Sequence, residues 1–267
     1  TPDLSQRLHQ SIVLHLPSTY QPELLQPAMQ ALLNRHTALC LRFDTTNCYI
    51  TIPNGSAPLP DIGTLNLRDA PIDLADVQRS DMAEQTHQKI NPQNGAMLSA
   101  CLIQEREGDR LLLAAHHLSI DMVSWHILAD ELQILLTNPD AVLPNATQYS
   151  DICDALAMEA KSPVTTTERP YWNAIAIQSA APNWPEIATP EATTTTTLRR
   201  DVAIDFPRGP AAQSHLLKAM AQAAHQVFGW CNCVIDLETH GRDLPRNIPD
   251  ASSCVGWFTR ITPVSVS

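Results

Sequence analysis

The sequence predicts an α/β protein of two lobes that meet near residue 170, and three observations support that reading. Short apolar stretches with period two alternate along the chain with longer stretches of helical spacing. An apolar fraction of 44% over 267 residues is enough for a sizeable core, in one large domain or two packed lobes. A low-information stretch, residues 162–197, carries five prolines and the run Thr193-Thr194-Thr195-Thr196-Thr197, and it separates a longer ordered part from a shorter ordered tail.

Residues 9–16 read as a strand, with Ile12 and Leu14 alternating against Val13 and His15. Leu24, Leu25, Ala28, Met29, Leu32 and Leu33 then repeat at helical spacing up to Arg35, and Pro27 limits where that helix begins. Residues 39–43 and 48–52 read as short strands flanking a polar turn at 44–47, and residues 53–73 as a proline-rich connection. A weaker helical stretch runs from 74 to 90 and stops before Pro92. Residues 97–104 and 111–117 are apolar strands joined by the turn Glu105-Arg106-Glu107-Gly108-Asp109. After His117 the period changes: Ile127, Leu128, Leu132 and Leu135 mark one face of a helix whose first turn begins near Asp121 or Ser124. A further helix covers 148–161, and 162–197 reads as a lobe-connecting segment and surface loop. Order resumes with a helix near 214–228, a strand near 233–237 and a turn at His240-Gly241-Arg242.

Composition removes several function classes. Only 8 of 267 residues are glycine, against roughly 7% on average, and no G-x-G occurs, so the phosphate-cradling loops of nucleotide enzymes are absent. Seventeen Lys and Arg against 28 Asp and Glu leave a net charge of −11, which repels phosphate backbones and anionic membranes and argues against nucleic-acid binding. No apolar run approaches the roughly 20 residues needed to cross a bilayer. The chain opens Thr1-Pro2-Asp3 with no targeting segment, and reads as a cytoplasmic protein or a piece of a longer one. Seven cysteines without a repeating interval are not a disulfide framework, and Cys231 and Cys233 lack a second ligand pair of metal-binding spacing.

The densest cluster of chemical groups is Ala115-His116-His117-Leu118-Ser119-Ile120-Asp121, where an apolar strand gives way to a helix. Neighbouring side chains on a strand point to opposite faces, so His116 and His117 do not easily share one metal ion. Two readings remain: a pair of satisfied core histidines, or one histidine facing a cleft as a proton carrier while the other and Asp121 hold the turn.

The run from His116 through Asp121 to Met122-Val123-Ser124-Trp125 resembles the HHxxxD motif of the condensation-type domains of nonribosomal peptide synthetases. Val123-Ser124-Trp125 followed by Ile127-Leu128 resembles the epimerization branch more than the peptide-bond-forming branch. Other blocks agree in order: His9-Gln10-Ser11-Ile12-Val13-Leu14, Arg35-His36 through Arg42-Phe43, Asn94-Gly95-Ala96-Met97-Leu98, and Tyr171-Trp172 at the end of the first lobe. Asp236-Leu237-Glu238-Thr239-His240-Gly241-Arg242 is similar to the epimerization glutamate motif, and Val255-Gly256-Trp257-Phe258-Thr259 with Pro263-Val264 to the next epimerization marker. Three departures stand out. Met122 replaces the glycine that usually follows the motif aspartate. Cys40 occupies the place of the arginine that pairs with that aspartate in the family, with Arg42 two positions on along the same strand face. The segment from Trp172 to Glu238 is short.

The resemblance implies a two-lobed, V-shaped chloramphenicol acetyltransferase-like fold with mixed sheets, residues 1–170 forming the N-terminal lobe and 171–267 an incomplete C-terminal lobe. It implies an isomerase that inverts the α-carbon of an aminoacyl or peptidyl thioester. That substrate arrives on the phosphopantetheine arm of a peptidyl carrier protein, beside neighbouring synthetase domains, and the domain itself binds no cofactor or metal. His117 and Glu238 would be the acid/base pair, since two titrating groups on opposite faces of a planar enolate remove and return the proton. His116, Asp121, Arg42, Ser124 and Arg242 would support the motif, with Ser124 capping the helix. Trp125, His240, Trp257 and Phe258 are candidates for the tunnel lining, and core packing is the alternative for the aromatic residues. Two other functions remain: a condensation domain joining two carrier-bound substrates, and a degenerate module that only docks carriers.

Overall fold

The period-two runs at either end of the first 120 residues become neighbouring strands. The computed structural model describes residues 8–44, 46–47, 49–52, 60, 62–138, 140–179, 201 and 209–266. β1 (His9–His15), β4 (Ile62–Asn66), β5 (Leu98–Gln104) and β6 (Arg110–His116) form a sheet in the order β1-β6-β5-β4. β1 and β5 are antiparallel to β6, whereas β4 is parallel to β5, so the sheet is mixed. A parallel neighbour needs a crossover, and α2 (Ile72–Gln88) supplies it. Two shorter strands, β2 (Arg42–Asp44) and β3 (Tyr49–Thr51), pair antiparallel on their own.

Alternation along these strands builds two cores. Ile12 and Leu14 of β1, Leu111, Leu113 and Ala115 of β6, and Leu98, Ala100 and Leu102 of β5 face α1 (Leu25–Arg35) and α3 (Met122–Thr137). On the opposite face Cys101, Ile103, Leu112 and Leu65 pack against α2. Leu111, Leu113, Ala114 and Ala115 are at most 1% exposed, which explains why β5 and β6 read as continuous apolar runs rather than alternating ones. Pro27 stands third in α1, inside the first turn, where its missing N–H costs no helical bond.

Several expectations need correction. Leu39 and Cys40 lie in a tight 3₁₀ turn, Thr37–Cys40, rather than a strand, because both side chains turn into the core. Cys48, placed at the start of the next strand, lies outside the described residues. The connection 53–73 contains β4, which is too short and too glycine-broken to show a period. The segment read as a surface loop from 162 holds α5 (Pro163–Thr167) and α6 (Arg169–Ser179), while 180–200 lies outside the described residues. α4 (Tyr149–Glu159), α7 (Pro210–Phe228), β7 (Cys233–Thr239) and β8 (Arg260–Val266) follow among the described residues, and β7 pairs with β8. In place of a division at residue 170, the chain forms two units. The first comprises Thr1–Ala160 and His240–Arg260, the second Lys161–Thr239 and Ile261–Ser267. The physical reason is that Ile248, Ala251, Cys254 and Phe258 return to pack on Ile152 and Tyr149 of α4.

Inside the first unit, a buried ion cluster ties α1 to α3. Glu131 accepts from Arg35 Nε at 2.8 Å and meets His36 Nε2 at 2.7 Å. Burial pushes the Glu131 carboxyl up, but the bonds from His36 and Arg35 outweigh it and hold it below the ordinary carboxylate range. A carboxyl depressed on folding stabilises the fold above its unfolded pKa, and that contribution is lost as pH falls through the folded value. Unfolding free energy should therefore drop as pH is lowered below about 4, and Glu131→Gln should flatten that acid limb in denaturant titrations at a series of pH values. Superimposable acid limbs for the two proteins would show that this carboxyl does not set the dependence.

Candidate active site

β6 ends at His116, and the chain turns through the 3₁₀ segment His117–Ser119 before Asp121 opens α3. Ser119 Oγ donates to the His116 carbonyl at 2.8 Å, and His116 Nδ1 accepts from the Leu118 N–H at 3.2 Å. Both bonds tighten the turn, and His116, 1% exposed, is a structural residue. The extended backbone of Asp121 makes it the helix cap: its Oδ1 accepts from the Ser124 N–H at 2.7 Å. Ser124, expected as the cap, instead stands third in the helix and uses its hydroxyl elsewhere.

That hydroxyl and the Asp121 carboxylate join a segment more than 115 residues away. Arg242 Nη2 lies 2.8 and 3.0 Å from the two carboxylate oxygens and 2.9 Å from Ser124 Oγ. Arg242 Nη1 donates to the carbonyls of Ala251 and Cys254, each at 2.6 Å. The Phe258 N–H donates to Asp121 Oδ2 at 3.1 Å, and the Gly256 N–H donates to Ser124 Oγ at 3.0 Å. The guanidinium also lies 4.4 Å from the centre of the Phe258 ring. The side chains of Arg242 and Asp121 are 7% and 3% exposed, so this is a buried ion pair. Arg42 is thus not the partner of Asp121. It lies exposed on β2, its Cγ and Nε near Gly95, because the 3₁₀ turn at Cys40 takes that segment away from the motif.

Two glycines let the segment approach. Gly241 has φ +65°, and a Cβ there would strike the Phe258 carbonyl; at Gly256 a Cβ would enter the Tyr149 ring. Burial pushes the neighbouring Tyr149 phenol up, and pushes the Cys254 thiol up to about 12, so neither ionises near neutral pH.

His117 is half-buried beside this cluster. Its Nδ1 lies 2.9 Å from the Ile120 carbonyl and its Nε2 3.0 Å from Gln10 Nε2. A carbonyl only accepts, so Nδ1 carries the hydrogen and Nε2 presents its lone pair. The Trp257 ring, itself 41% exposed, lies 4.9 Å from the imidazole centroid to centroid. Met122, in place of the family glycine, is 65% exposed at the first position of α3 and displaces nothing.

Other expected residues fall in different places. Trp125, 3% exposed, and Phe258, 9% exposed, belong to the core rather than to a lining, whereas Trp257 borders His117. His240 is exposed, its Nδ1 accepting from the Arg242 N–H at 3.1 Å and its Nε2 3.6 Å from Asp243. Glu238 lies in the second unit, exposed on β7 on the same side as Asp236, while Leu237 and Thr239 are half-buried. Sequence reading passed over Gln10. Its signal was a lone amide at the head of the row Gln10, Ile12, Leu14, whose other members are core. Among the described residues no three His, Cys, Asp or Glu side chains gather to hold a metal ion, and no helix is long and apolar enough to cross a membrane.

Comparison with known proteins identifies the class of domain to which this fold and motif loop belong. The family model for the condensation domain matches residues 3–267, and the chain belongs to that family. It is 28% identical over 277 residues to surfactin synthase subunit 1 of Bacillus subtilis, covering 96% of this chain and 8% of that protein. It is 28% identical over 282 residues to tyrocidine synthase 1 of Brevibacillus parabrevis, covering 96% of this chain and 25% of that protein. Among solved structures, the epimerization domain from the third module of tyrocidine synthetase B superposes with a TM-score of 0.74 at 22% identity, over 98% of this chain and 64% of that one. A starter condensation domain of the rhizomide synthetase also gives 0.74, at 16% identity, over 98% of this chain and 62% of that one. The fold is therefore the two-lobed, chloramphenicol acetyltransferase-like fold of these domains, and the chain spans less than two thirds of these relatives' length.

Removing one member of a buried pair strands the other charge, at a cost of about 3–5 kcal/mol. Asp121→Ala and Arg242→Ala should each destabilise the first unit by that amount in denaturant unfolding, and the double variant should cost clearly less than their sum. Strict additivity would show that the two side chains are not energetically coupled.

Proposed function

We propose that the chain is an epimerization domain of a nonribosomal peptide synthetase, an isomerase that inverts the α-carbon of a carrier-bound aminoacyl or peptidyl thioester from L to D. The observation that carries this reading is that two segments resembling the epimerization branch, Val123-Ser124-Trp125 and Gly256-Trp257-Phe258, meet around the motif loop. Ser124 Oγ lies 2.9 Å from the Gly256 carbonyl, Trp257 packs on His117, and Phe258 N–H bonds Asp121. Residues that resemble the epimerization branch are thus among those that shape the surroundings of His117.

The α-carbon of a thioester is weakly acidic because the carbonyl delocalises the resulting charge as an enolate. Nε2 of His117, bare of hydrogen, takes that proton as the general base. Glu238, the second group by its motif, returns a proton to the opposite face of the planar enolate, so stereochemistry inverts with no net change in atoms. The substrate comes on the phosphopantetheine arm of a peptidyl carrier protein, within a chain of neighbouring synthetase domains.

One observation favours a second reading. Glu238 stands exposed on β7 in the second unit, and peptide-bond formation by a condensation domain would use His117 without it. The two readings separate in one experiment. A carrier loaded with an L-aminoacyl group is incubated with the wild-type domain, His117→Ala or Glu238→Gln, and the released residue is resolved on a chiral column. We expect D-residue formation to fall by about 100-fold or more in each variant. Unchanged conversion in Glu238→Gln would remove that residue from the mechanism, whereas coupled product from donor and acceptor carriers, without D-residue from the wild-type domain, would favour the transferase.

A further inference from the structure

We infer that Gln10 is a positioning residue that holds the Nε2 of His117 free of hydrogen, an inference resting on the reading of His117 as a proton acceptor. β1 pairs with β6 so that Gln10 stands opposite Ala115, and the His117 N–H continues the ladder to the Leu8 carbonyl. Gln10 and His117 are thus diagonal neighbours on one sheet face, and the small side chain of Ala115 leaves room for them to touch. Behind them stands the buried Trp125 of α3, whose indole Nε1 donates to Gln10 Oε1 at 3.2 Å.

This chain of contacts has fixed direction because both ends lack a choice. An indole N–H can only donate, so the amide oxygen of Gln10 must face Trp125 and its NH₂ must face His117, 3.0 Å away. At the other end the Ile120 carbonyl, 2.9 Å from Nδ1, can only accept. Between these constraints one neutral imidazole tautomer fits: hydrogen on Nδ1, lone pair on Nε2. The core tryptophan therefore sets, through one amide, which ring nitrogen is basic.

The same geometry affects the reaction's second half. Once Nε2 has taken a proton, it faces an NH₂ group that cannot accept from it. Turning the amide over would present oxygen to His117 but would set NH₂ against the Trp125 indole, donor against donor. Gln10 thus offers a protonated Nε2 no acceptor and favours return of the proton, which suits a reversible isomerisation.

Gln10→Glu reverses this logic. A carboxylate accepts from Trp125 with one oxygen and from a protonated Nε2 with the other, a charge-assisted pair. The side chain is half-exposed, so the substitution is compatible with folding; Gln10→Leu, which removes the partner without adding charge, is the second variant. The readout is the pair of ¹⁵N chemical shifts of the His117 ring at pH 7.5 in uniformly labelled domain, assigned by their loss in His117→Asn. We expect a bare Nε2 and protonated Nδ1 in the wild type, protonation at both nitrogens in Gln10→Glu, and exchange between tautomers in Gln10→Leu. We also expect Gln10→Glu to lower kcat for epimerization about tenfold or more, a part of the 10²–10⁴-fold that a positioned acid–base group supplies, with KM for the loaded carrier unchanged.

The same ring shifts in all three proteins, or a wild-type Nε2 that already carries hydrogen, would overturn the assignment, as would full kcat in a Gln10→Glu protein whose shifts had changed. Full activity in His117→Ala would defeat the acid–base reading instead, and the ring shifts would still report on Gln10.

Discussion

The buried pair between Asp121 and Arg242 is the constraint on which the candidate site depends. Two opposite charges removed from water cost several kcal/mol each in desolvation, and only close geometry with further hydrogen bonds returns that energy. Here both partners are nearly saturated. The carboxylate receives the N–H groups of Ser124 and Phe258 besides the guanidinium, and the guanidinium reaches two backbone carbonyls as well. The exception is Arg242 Nε, buried without a partner among the described residues, on a group whose carbon lies over the Phe258 ring. The pair holds the start of α3 against the 240–260 segment, so the loop bearing His117 is shaped by residues remote in sequence.

From this node the rest of the site follows in short steps. Asp121 caps α3, which places Trp125 in the core beneath the sheet. Trp125 orients Gln10 from the edge strand, and Gln10 meets the imidazole. Gly241 and Gly256 supply the close approach that no side chain would allow, so Trp257 reaches the exposed side of His117. The arrangement sets the imidazole among the Ile120 carbonyl, the Gln10 amide and the Trp257 ring.

Much of the framework was legible because it rests on local rules. β5, β6, α3 and the turn after His117 show themselves by apolar run, change of period and turn residues. β4 was not legible, since a five-residue strand with an internal glycine carries no period of its own and exists through its parallel pairing with β5. The 3₁₀ turn at Cys40 was misread as strand because apolar residues in a short run look alike in either form. The site was visible as a motif, yet its wiring was not. Arg42 fitted the expected ion pair by spacing, while the actual partner, Arg242, lay in a different motif and became identifiable only through tertiary contact. Gln10 went unremarked because an amide at the end of an apolar row gives no hint of its direction.

The central claim is that this domain removes the hydrogen on the α-carbon of a carrier-bound residue through the bare nitrogen of His117, and that a proton returns on the opposite face. The most direct test is mass spectrometry of an L-aminoacyl carrier after incubation with the domain in D₂O. The account expects the residue to gain one mass unit at the α-carbon with the wild-type domain, and no gain when His117 is alanine. An α-carbon that stays unlabelled with the wild-type domain, under conditions where the carrier remains loaded, would contradict it.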